Sequence, residues 1–315
     1  MEPTLNPEIE STPLFADELP EGHKSGFVAL VGKPNVGKST LLNRWMGLKV
    51  AAVSPKPQTT RTRLQGILTR DDAQIIFVDT PGIHRPRTAL GNYMVEAARQ
   101  AVPDADLVLF MVDLGAPPDA ADEHVARLVA QYVSIPAILV MNKADLVSEQ
   151  ELAGRRDAYA ALGQFDHMAA LSAEHGQGAD ALLGLVLERL PEGPRFYPAD
   201  QVTDQPERFI AAELVREQVL LHLRQEVPHA IAVLVQEFRE RDNGVLYIAA
   251  NIYTERDSQK GIVIGARGEM LKRIGSAARA SLEAFFGQQV YVELWVKVRK
   301  DWRTNETYLK QLGYG

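Results

Sequence analysis

The sequence contains no cysteine. This absence excludes disulfide bonds, zinc sites with cysteine ligands, iron–sulfur clusters and catalysis by a thiol. Long apolar runs are also lacking, because stretches such as residues 107–112 and 135–141 are well short of the ~18 residues that a membrane-spanning helix needs. The N-terminus shows no basic start followed by an apolar segment. We therefore expect no signal peptide and a soluble, cytoplasmic protein.

Basic residues do not dominate the composition. Lys and Arg total 34 against 41 Asp and Glu, a net charge of −7, which argues against a chain that coats nucleic acid over its whole surface. Positive charge is nevertheless concentrated late in the chain, where residues 258–315 hold 10 basic and 5 acidic residues. The length of 315 residues and the hydrophobic fraction of 46% predict two domains with substantial cores.

Local composition divides the chain into three parts. Residues 1–24 carry four prolines and six acidic residues against one lysine, which predicts a flexible acidic tail. Residues 25–195 alternate short apolar runs with helical patterns, which predicts an α/β domain with a central, mostly parallel sheet. Prolines and a glycine within 191–198 indicate a linker. Residues 196–315 predict a separate α+β domain.

The hydrophobic periodicity places the elements as follows. The first domain is predicted to have strands at 27–31, 74–78, 107–113, 137–141 and 167–171, and helices near 90–101, 119–132, 148–163 and 178–190. The second is predicted to have helices at 207–225 and 269–286, strands at 229–238, 245–253 and 290–298, an apolar strand-like run at 262–264, and a short helix after Trp302.

Residues 32–39, with the sequence GKPNVGKS, match the phosphate-binding pattern G-x-x-x-x-G-K-[ST]. The pattern follows a predicted strand directly and opens a helix, so backbone N–H groups can surround phosphate oxygens. Lys38 would place its charge on the outer phosphates, and Ser39 would offer a hydroxyl to Mg²⁺. The candidate phosphate-binding residues are Gly32, Lys33, Pro34, Asn35, Val36, Gly37, Lys38, Ser39 and Thr40.

Two further segments fit a magnesium and γ-phosphate site. Asp79, Thr80, Pro81 and Gly82 end the predicted strand 74–78; the carboxylate can hold Mg²⁺ and the Gly82 backbone can sense a γ-phosphate. The polar segment 54–63 is a candidate mobile part, from which Thr60, in preference to Thr59, would supply a hydroxyl to the ion. The predicted Mg²⁺ ligands are Ser39, Thr60 and Asp79.

The motif Asn142-Lys143-Ala144-Asp145 predicts recognition of guanine. A carboxylate at Asp145 can accept hydrogen bonds from the ring N–H and the exocyclic amine of guanine, a donor pair that adenine does not offer. Asn142 would tie loops together, and the stem of Lys143 would lie on the base. Ser172 and Ala173 follow the predicted strand 167–171, where a backbone N–H can reach the guanine oxygen.

A G-x-x-G sequence stands between the run 262–264 and a basic helix. The candidate RNA-binding residues are Ile264, Gly265, Ala266, Arg267, Gly268, Lys272 and Arg273. Loops of this kind approach the sugar–phosphate backbone in KH domains, and the element order resembles the bacterial, type II KH topology. We expect residues 262–264 and Ile274 to form an apolar floor beneath the bases. Farther along, Trp295 is expected in the core with Lys297 facing out, and the position of Trp302 is left open.

The motifs GKPNVGKST, QTTR, DTPG, NKAD and SA, followed by the KH-like half, resemble GTPases of the Era family over residues 26–315. The resemblance implies a Mg²⁺-dependent, GTP-hydrolysing switch. It also implies binding to the 3′ end of small-subunit ribosomal RNA, assistance in small-subunit assembly and maturation, and peripheral contact with the inner face of the cell membrane. We expect a monomer.

The position after Gly82 is Ile83, where Ras-like GTPases carry a glutamine that orients water. The sequence therefore names no certain catalytic residue, and the resemblance implies slow hydrolysis. It also implies a K⁺ ion near Asn35, with a purely loop-shaping role for that residue as the alternative. His84 is interpreted as a switch-loop residue.

Two other functions compete with the GTPase hypothesis. One is a P-loop kinase or ATPase with an accessory domain, which Asp145 argues against because its motif serves guanine. The other is an RNA-binding scaffold with a relic nucleotide site, which the intact Lys38, Ser39 and Asp79 argue against.

Overall fold

The computed structural model describes residues 19–86, 88–132, 134–223 and 227–314. Most of the predicted acidic tail lies outside these residues. The part within them is more ordered than expected, since the first strand already begins at Lys24 and the His23 ring lies 2.8 Å from the Gly193 carbonyl oxygen.

A six-stranded sheet forms the first unit, with the order β2-β3-β1-β4-β5-β6. Its strands are β1 Lys24–Val31, β2 Leu64–Thr69, β3 Ala73–Asp79, β4 Leu107–Asp113, β5 Ala137–Asn142 and β6 His167–Ala170. All neighbours are parallel except β2, which pairs antiparallel with β3. The central strands are continuous apolar runs because both of their faces are buried. Strand β2 was not predicted from the sequence, because Gln65, Gly66 and Thr69 weaken the apolar signal of this edge strand.

Five helices cover the two faces of this sheet. They are α1 Lys38–Met46, α2 Ala89–Gln100, α3 Ala120–Val129, α4 Glu149–Ala160 and α5 Ala179–Arg189. Apolar residues of α1 and α5 pack on one face, and those of α2 and α3 pack on the other, together with Tyr159 of α4. The carboxyl ends of β1, β3, β4 and β5 therefore share one sheet edge, where ligands bind in open α/β sheets.

The second unit is a three-stranded sheet with helices on one face. It comprises α6 Glu207–His222, β7 Ala232–Glu240, β8 Leu246–Thr254, α7 Asp257–Ile264, α8 Glu269–Phe286, β9 Val290–Val298 and α9 Glu306–Gln311. Strand β8 is central, antiparallel to β7 and parallel to β9. The mostly parallel sheet followed by an α+β unit confirms the predicted fold class.

The run 262–264 is helical, so its prediction as a strand is wrong. It forms the last turn of α7, which places Val263 in the core and leaves Ile262 49% exposed. The side chain of Gln259 caps the helix start by accepting from the backbone N–H groups of Glu255 and Arg256. Three apolar residues are too few to distinguish a helix from a strand by periodicity.

The two tryptophans of the last part of the chain differ in environment, and the expectation for Trp295 is wrong. Trp295 is 42% exposed, whereas Trp302 is fully buried and donates from Nε1 to the Ala230 carbonyl oxygen at 3.0 Å. Positions two apart in a strand share a face. Trp295 therefore lies beside exposed Lys297, and Val296 takes the inner position.

The predicted linker packs against the first sheet. Gln74 Oε1 accepts from the backbone N–H groups of Phe196 and Tyr197, at 2.7 and 2.9 Å. Farther on, Thr203 bridges to Gly66 of β2. The predicted domain boundary between residues 195 and 196 falls inside this segment. Among the described residues, no helix combines the length and apolar character needed to cross a bilayer.

We expect Trp302→Phe to lower the free energy of unfolding by about 1–2 kcal/mol, because the buried Ala230 carbonyl loses its donor. The matched control is Trp295→Phe, at a site that is 42% exposed and should change little. Urea unfolding followed by circular dichroism measures both. Equal effects of the two substitutions would contradict the burial assigned here.

Candidate functional site

The predicted phosphate loop joins β1 to α1, and its backbone requires glycine. Gly37 has φ 102°, and a Cβ there would lie 2.1 Å from Asn142 Nδ2. A Cβ on Gly32 would lie 2.4 Å from the Met111 carbonyl oxygen. Asn35 also adopts a positive φ, 64°. The loop is thus pressed against β4 and β5, which fixes the direction of its N–H groups.

Lys38 is buried beneath the loop. Its Nζ donates to the carbonyl oxygens of Gly32 and Lys33, at 3.2 and 3.1 Å. Burial lowers the pKa of Lys38 to about 8, although the nearby Asp79 carboxylate acts in the opposite direction. An anionic phosphate placed beside the amine would favour its charged form.

Three oxygen-bearing side chains converge at the candidate metal site. Ser39 Oγ lies 2.6 Å from Asp79 Oδ2 and 2.8 Å from Thr60 Oγ1. Thr60 Oγ1 is also 3.3 Å from Asp79 Oδ2. Thr59 turns away, donating to the Lys56 carbonyl oxygen at 2.7 Å. The geometry therefore agrees with the preference for Thr60.

The environment of Asp79 suits a divalent cation. Asp79 is fully buried, and its Oδ1 finds no hydrogen-bond partner among the described residues. Burial raises the pKa of this carboxyl. A carboxylate and two hydroxyls form a hard-oxygen set of the kind that Mg²⁺ prefers, so these residues fit the ion.

The segment after β3 closes the phosphate end of the cleft. A Cβ on Gly82 would lie 2.4 Å from the Pro34 backbone nitrogen, so this segment touches the phosphate loop directly. Ile83 is buried in the core and cannot face a substrate water. His84 Nδ1 donates to the Gly82 carbonyl oxygen at 2.9 Å, and its Nε2 accepts from Gln58 Nε2 at 3.0 Å. His84 thus links the segment after β3 to segment 54–63.

Asn142 ties three loops together at the other end of the cleft. Its Nδ2 donates to the Val36 carbonyl oxygen at 2.7 Å, and its Oδ1 accepts from the Ala173 backbone N–H at 2.8 Å. Lys143, with φ 64°, is held by Asp113 Oδ2 at 2.6 Å. The Ser172 side chain lowers the pKa of Asp145, so the carboxylate is ready to accept hydrogen bonds.

Most of the predicted nucleotide-site residues line one cleft of about 570 Å³. The predicted residues that line it are Pro34, Asn35, Gly37, Lys38, Ser39, Thr40, Thr60, Gly82, Asn142, Lys143, Asp145, Ser172 and Ala173. Six predicted residues are outside this lining, among them Gly32, Pro81 and the buried Asp79. The side chains of the other three point elsewhere. Lys33 pairs with Asp122 and Asp119 of the α3 N-terminus, Val36 is core, and Thr80 donates to the Leu30 carbonyl oxygen. Their contribution is therefore through the backbone.

The segment that carries Thr60 is also held from the second unit. Glu217 of α6 accepts from Lys49 Nζ at 2.9 Å and from the Val53 backbone N–H at 3.2 Å. Arg216, one position earlier, donates to the Thr59 carbonyl oxygen. Neither residue was predicted from the sequence, since an Arg and a Glu on an amphipathic helix carry no signal of their partners.

Arg61, adjacent to Thr60, enters the second unit. Its guanidinium is buried and donates to the Ile231 carbonyl oxygen at 2.5 Å. It lies 5.5 Å from the ring centroid of Trp302 and 5.9 Å from that of Tyr314. Burial lowers the pKa of Arg61. No motif in the sequence gives Arg61 a role, although it is a cation between two threonines of a polar segment.

The G-x-x-G loop forms a tight turn between α7 and α8. Gly265 and Gly268 have φ of 73° and 80°, and the side chain of Arg267 is exposed. A Cβ on Gly265 would lie 2.6 Å from Met270 Cβ, whereas the space around Gly268 is open. Exposed Lys272 and Arg273 follow on α8.

The groove beside this loop has a different floor from the predicted one. Val263 and Ile274 are fully buried and cannot contact bases. The floor instead lies between α8 and the edge strand β9. Its lining includes Gly268, Leu271, Lys272, Gly275, Ser276, Arg279, Val292 and Leu294.

Comparison with known proteins finds relatives of both units. A family model described as a 50S ribosome-binding GTPase matches residues 27–143, and a KH domain model matches residues 226–303. The chain is 47% identical to GTPase Era of Ruminiclostridium cellulolyticum, covering 93% of this chain and 98% of that protein. It is 50% identical to GTPase Era of Lactobacillus delbrueckii subsp. bulgaricus, covering 93% and 96%.

Two solved structures share the whole fold. The first is a tyrosine-to-alanine variant of Aquifex aeolicus Era bound to GDP·AlF4⁻, with a TM-score of 0.88, 41% identity and coverage of 93% of this chain and 99% of that one. The second is Era in complex with MgGDPNP and nucleotides 1506–1542 of 16S ribosomal RNA, with a TM-score of 0.89 and the same identity and coverage.

We expect Asp145→Asn to reduce GTP affinity by about 100-fold, because two hydrogen bonds to a charged acceptor are lost. Xanthosine triphosphate, which carries a carbonyl in place of the exocyclic amine, should gain affinity. Competition against a fluorescent GDP measures both, with exposed Asp157→Asn as the control. Unchanged preference for guanine would show that Asp145 does not read the base.

Proposed function

This chain belongs to the Era family of GTPases, and on that premise we propose a GTP-dependent switch that binds the 3′ end of small-subunit ribosomal RNA. It acts in assembly and maturation of the small ribosomal subunit. The observation that carries the proposal is one cleft whose lining includes Ser39, Thr60 and the guanine-reading Asp145. Buried Asp79 adjoins this cleft and accepts hydrogen bonds from the hydroxyls of Ser39 and Thr60. The chain is a GTPase, and the kinase or ATPase alternative is not favoured.

Ser39, Thr60 and Asp79 are the residues that would hold Mg²⁺. The ion supplies positive charge that neutralises the β- and γ-phosphates. Lys38 places its amine at the same end of the cleft, and the backbone of residues 32–37 orients the phosphates. Thr60 belongs to the candidate mobile segment, so its engagement depends on the γ-phosphate.

The proposal includes slow intrinsic hydrolysis. Buried Ile83 cannot orient a water, and both ring nitrogens of His84 are engaged. The proposal also includes a K⁺ ion near Asn35, which would take the place of the arginine finger that stabilises the transition state in other GTPases. Asn35 lines the cleft and donates to the Pro55 carbonyl oxygen at 3.0 Å, which places it between the phosphate loop and the candidate mobile segment.

RNA binding is assigned to the groove between α8 and β9. Its glycine loop permits close approach of a sugar–phosphate backbone, and Arg267, Lys272 and Arg273 add exposed positive charge. The related Era whose complex with nucleotides 1506–1542 of 16S ribosomal RNA is solved supports the choice of ligand.

We further propose that the nucleotide controls the RNA-binding unit through residues 49–61. Bound Mg²⁺ and γ-phosphate would hold Thr60, and its neighbour Arg61 would then be fixed as well. The Arg61 guanidinium lies beside the stacked rings of Trp302 and Tyr314 in the second unit. Release after hydrolysis would free the same contacts. In this proposal, residues 49–61 couple the nucleotide-binding cleft to the RNA-binding groove.

The place of action forms the last part of the proposal. We propose a monomeric, cytoplasmic protein, and the resemblance to the family adds peripheral contact with the inner face of the cell membrane. The 10 basic residues of 258–315 are the groups that would face an anionic lipid surface.

We expect Gly268→Asp to weaken binding of a small-subunit 3′-end oligonucleotide by about 10-fold or more, because a carboxylate at the loop repels the phosphates. GTP affinity should not change. Gly244→Asp is the matched control, since Gly244 also has a positive φ and open space. Fluorescence anisotropy of labelled RNA makes the measurement, and unchanged RNA affinity would remove the groove as the binding site.

A further inference from the structure

The face of the second sheet opposite its helices is only partly covered. One end carries Tyr253, over which Trp302 and α9 pack. The other end is open to solvent. We name this open part the outer face and define it by Arg239, Arg241, Tyr247, Tyr291, Trp295 and Lys297. Tyr291 is 51% exposed and Trp295 is 42% exposed.

The side chains of the outer face form an ordered stack. Tyr247 and Tyr291 are register partners on β8 and β9, and their rings stack at 5.9 Å with an interplanar angle of 18°. The Arg241 guanidinium lies 4.4 Å from the centroid of Tyr247 and 4.9 Å from that of Tyr291. Glu293 Oε2 accepts from the Tyr247 hydroxyl at 2.6 Å, which holds the ring in place.

Charge on this face favours an anionic partner. Arg239 and Arg241 lie 5.3 and 4.4 Å from the ring centroid of Tyr247. Lys297 follows Trp295 on the same side of β9. The same side of the sheet also carries two acids, so cations exceed carboxylates there by one. Glu237 lies 3.5 Å from Arg239, and Glu293 accepts from Tyr247. Flat rings interleaved with cations match the flat bases and phosphates of a nucleic acid strand.

The position of the face relative to the groove indicates how a strand of RNA would reach it. Strand β9 is the edge of the sheet, and Tyr291 belongs to both the groove lining and the outer face. Tyr291 and Trp295 lie on either side of Glu293, on the same face of β9. An RNA chain that leaves the groove over this edge therefore meets Tyr291 first and Trp295 next.

We propose that the outer face is a second RNA-binding surface, which stacks unpaired bases on Trp295 and Tyr291 and pairs their phosphates with Arg241 and Lys297. This surface is separate from the G-x-x-G loop and goes beyond the function proposed above. It reads no particular base, because every base offers a flat face to an aromatic ring.

Trp295 makes the proposal directly measurable. The other two tryptophans, Trp45 and Trp302, are 8% and 0% exposed. Quenching of tryptophan emission by a bound base therefore indicates contact with Trp295. The probe is a twelve-residue oligouridylate, which has no stable base pairing. We expect it to quench tryptophan emission in the wild-type protein and also in Gly268→Asp.

The decisive variant is Trp295→Ala with Lys297→Ala, because neither residue lines the groove, whereas Tyr291 does. We expect its affinity for the oligouridylate to fall by about 10-fold or more, since stacking on Trp295 and a phosphate contact at Lys297 are lost. Phe196→Ala, which removes an exposed ring from the linker segment that packs on the first sheet, is the matched control. Circular dichroism checks that all variants are folded, and anisotropy of the labelled strand gives the affinities.

Three results would overturn the inference. They are no binding of the oligouridylate, saturable binding that leaves tryptophan emission unchanged, or unchanged affinity of the double variant for the oligouridylate. Failure of the proposed groove is a separate outcome. It would appear as unchanged affinity of Gly268→Asp for the 3′-end oligonucleotide, whatever happens at the outer face.

Discussion

Two neighbouring residues, Thr60 and Arg61, point into different units of the molecule, and the proposed coupling of its two sites depends on this divergence. The Thr60 hydroxyl lies 2.8 Å from Ser39 Oγ at the candidate metal site. The Arg61 guanidinium reaches the Ile231 carbonyl oxygen at 2.5 Å in the second unit. One backbone segment thus cannot change its position at one site without disturbing the other.

The free-energy cost of burying the Arg61 guanidinium suits a contact that forms and is released again. Its hydrogen bonds go to carbonyl oxygens and the Tyr314 hydroxyl, and its Nε has no partner among the described residues. A buried charge that lacks a close carboxylate costs several kcal/mol of desolvation, which aromatic faces and carbonyl dipoles offset only when all are in place. The buried position of Arg61 is therefore stable only while all of its contacts are present, and loss of any one partner weakens it.

Local patterns predicted the parts of the site whose chemistry lies in contiguous residues. The phosphate loop, Asp79 and Asp145 were identifiable because glycine, lysine and carboxylate positions are fixed by the shape of the nucleotide. Arg61 was not, since its partners Ile231 and Tyr314 lie 170 and 253 positions away. The side of β9 on which Trp295 lies was predicted wrongly for a simpler reason. Trp295 and Lys297 were assigned to opposite faces, but residues two positions apart lie on the same side of a strand.

The affinity of the 3′-end oligonucleotide, measured with GDP and then with a non-hydrolysable GTP analogue, tests the coupling most directly. We predict different affinities in the two states of the wild-type protein and nearly equal affinities in Arg61→Ala. Arg63→Ala, at an exposed position two residues on, should keep the wild-type difference. Equal affinities in the wild-type protein, or an undiminished difference in Arg61→Ala, would contradict the account.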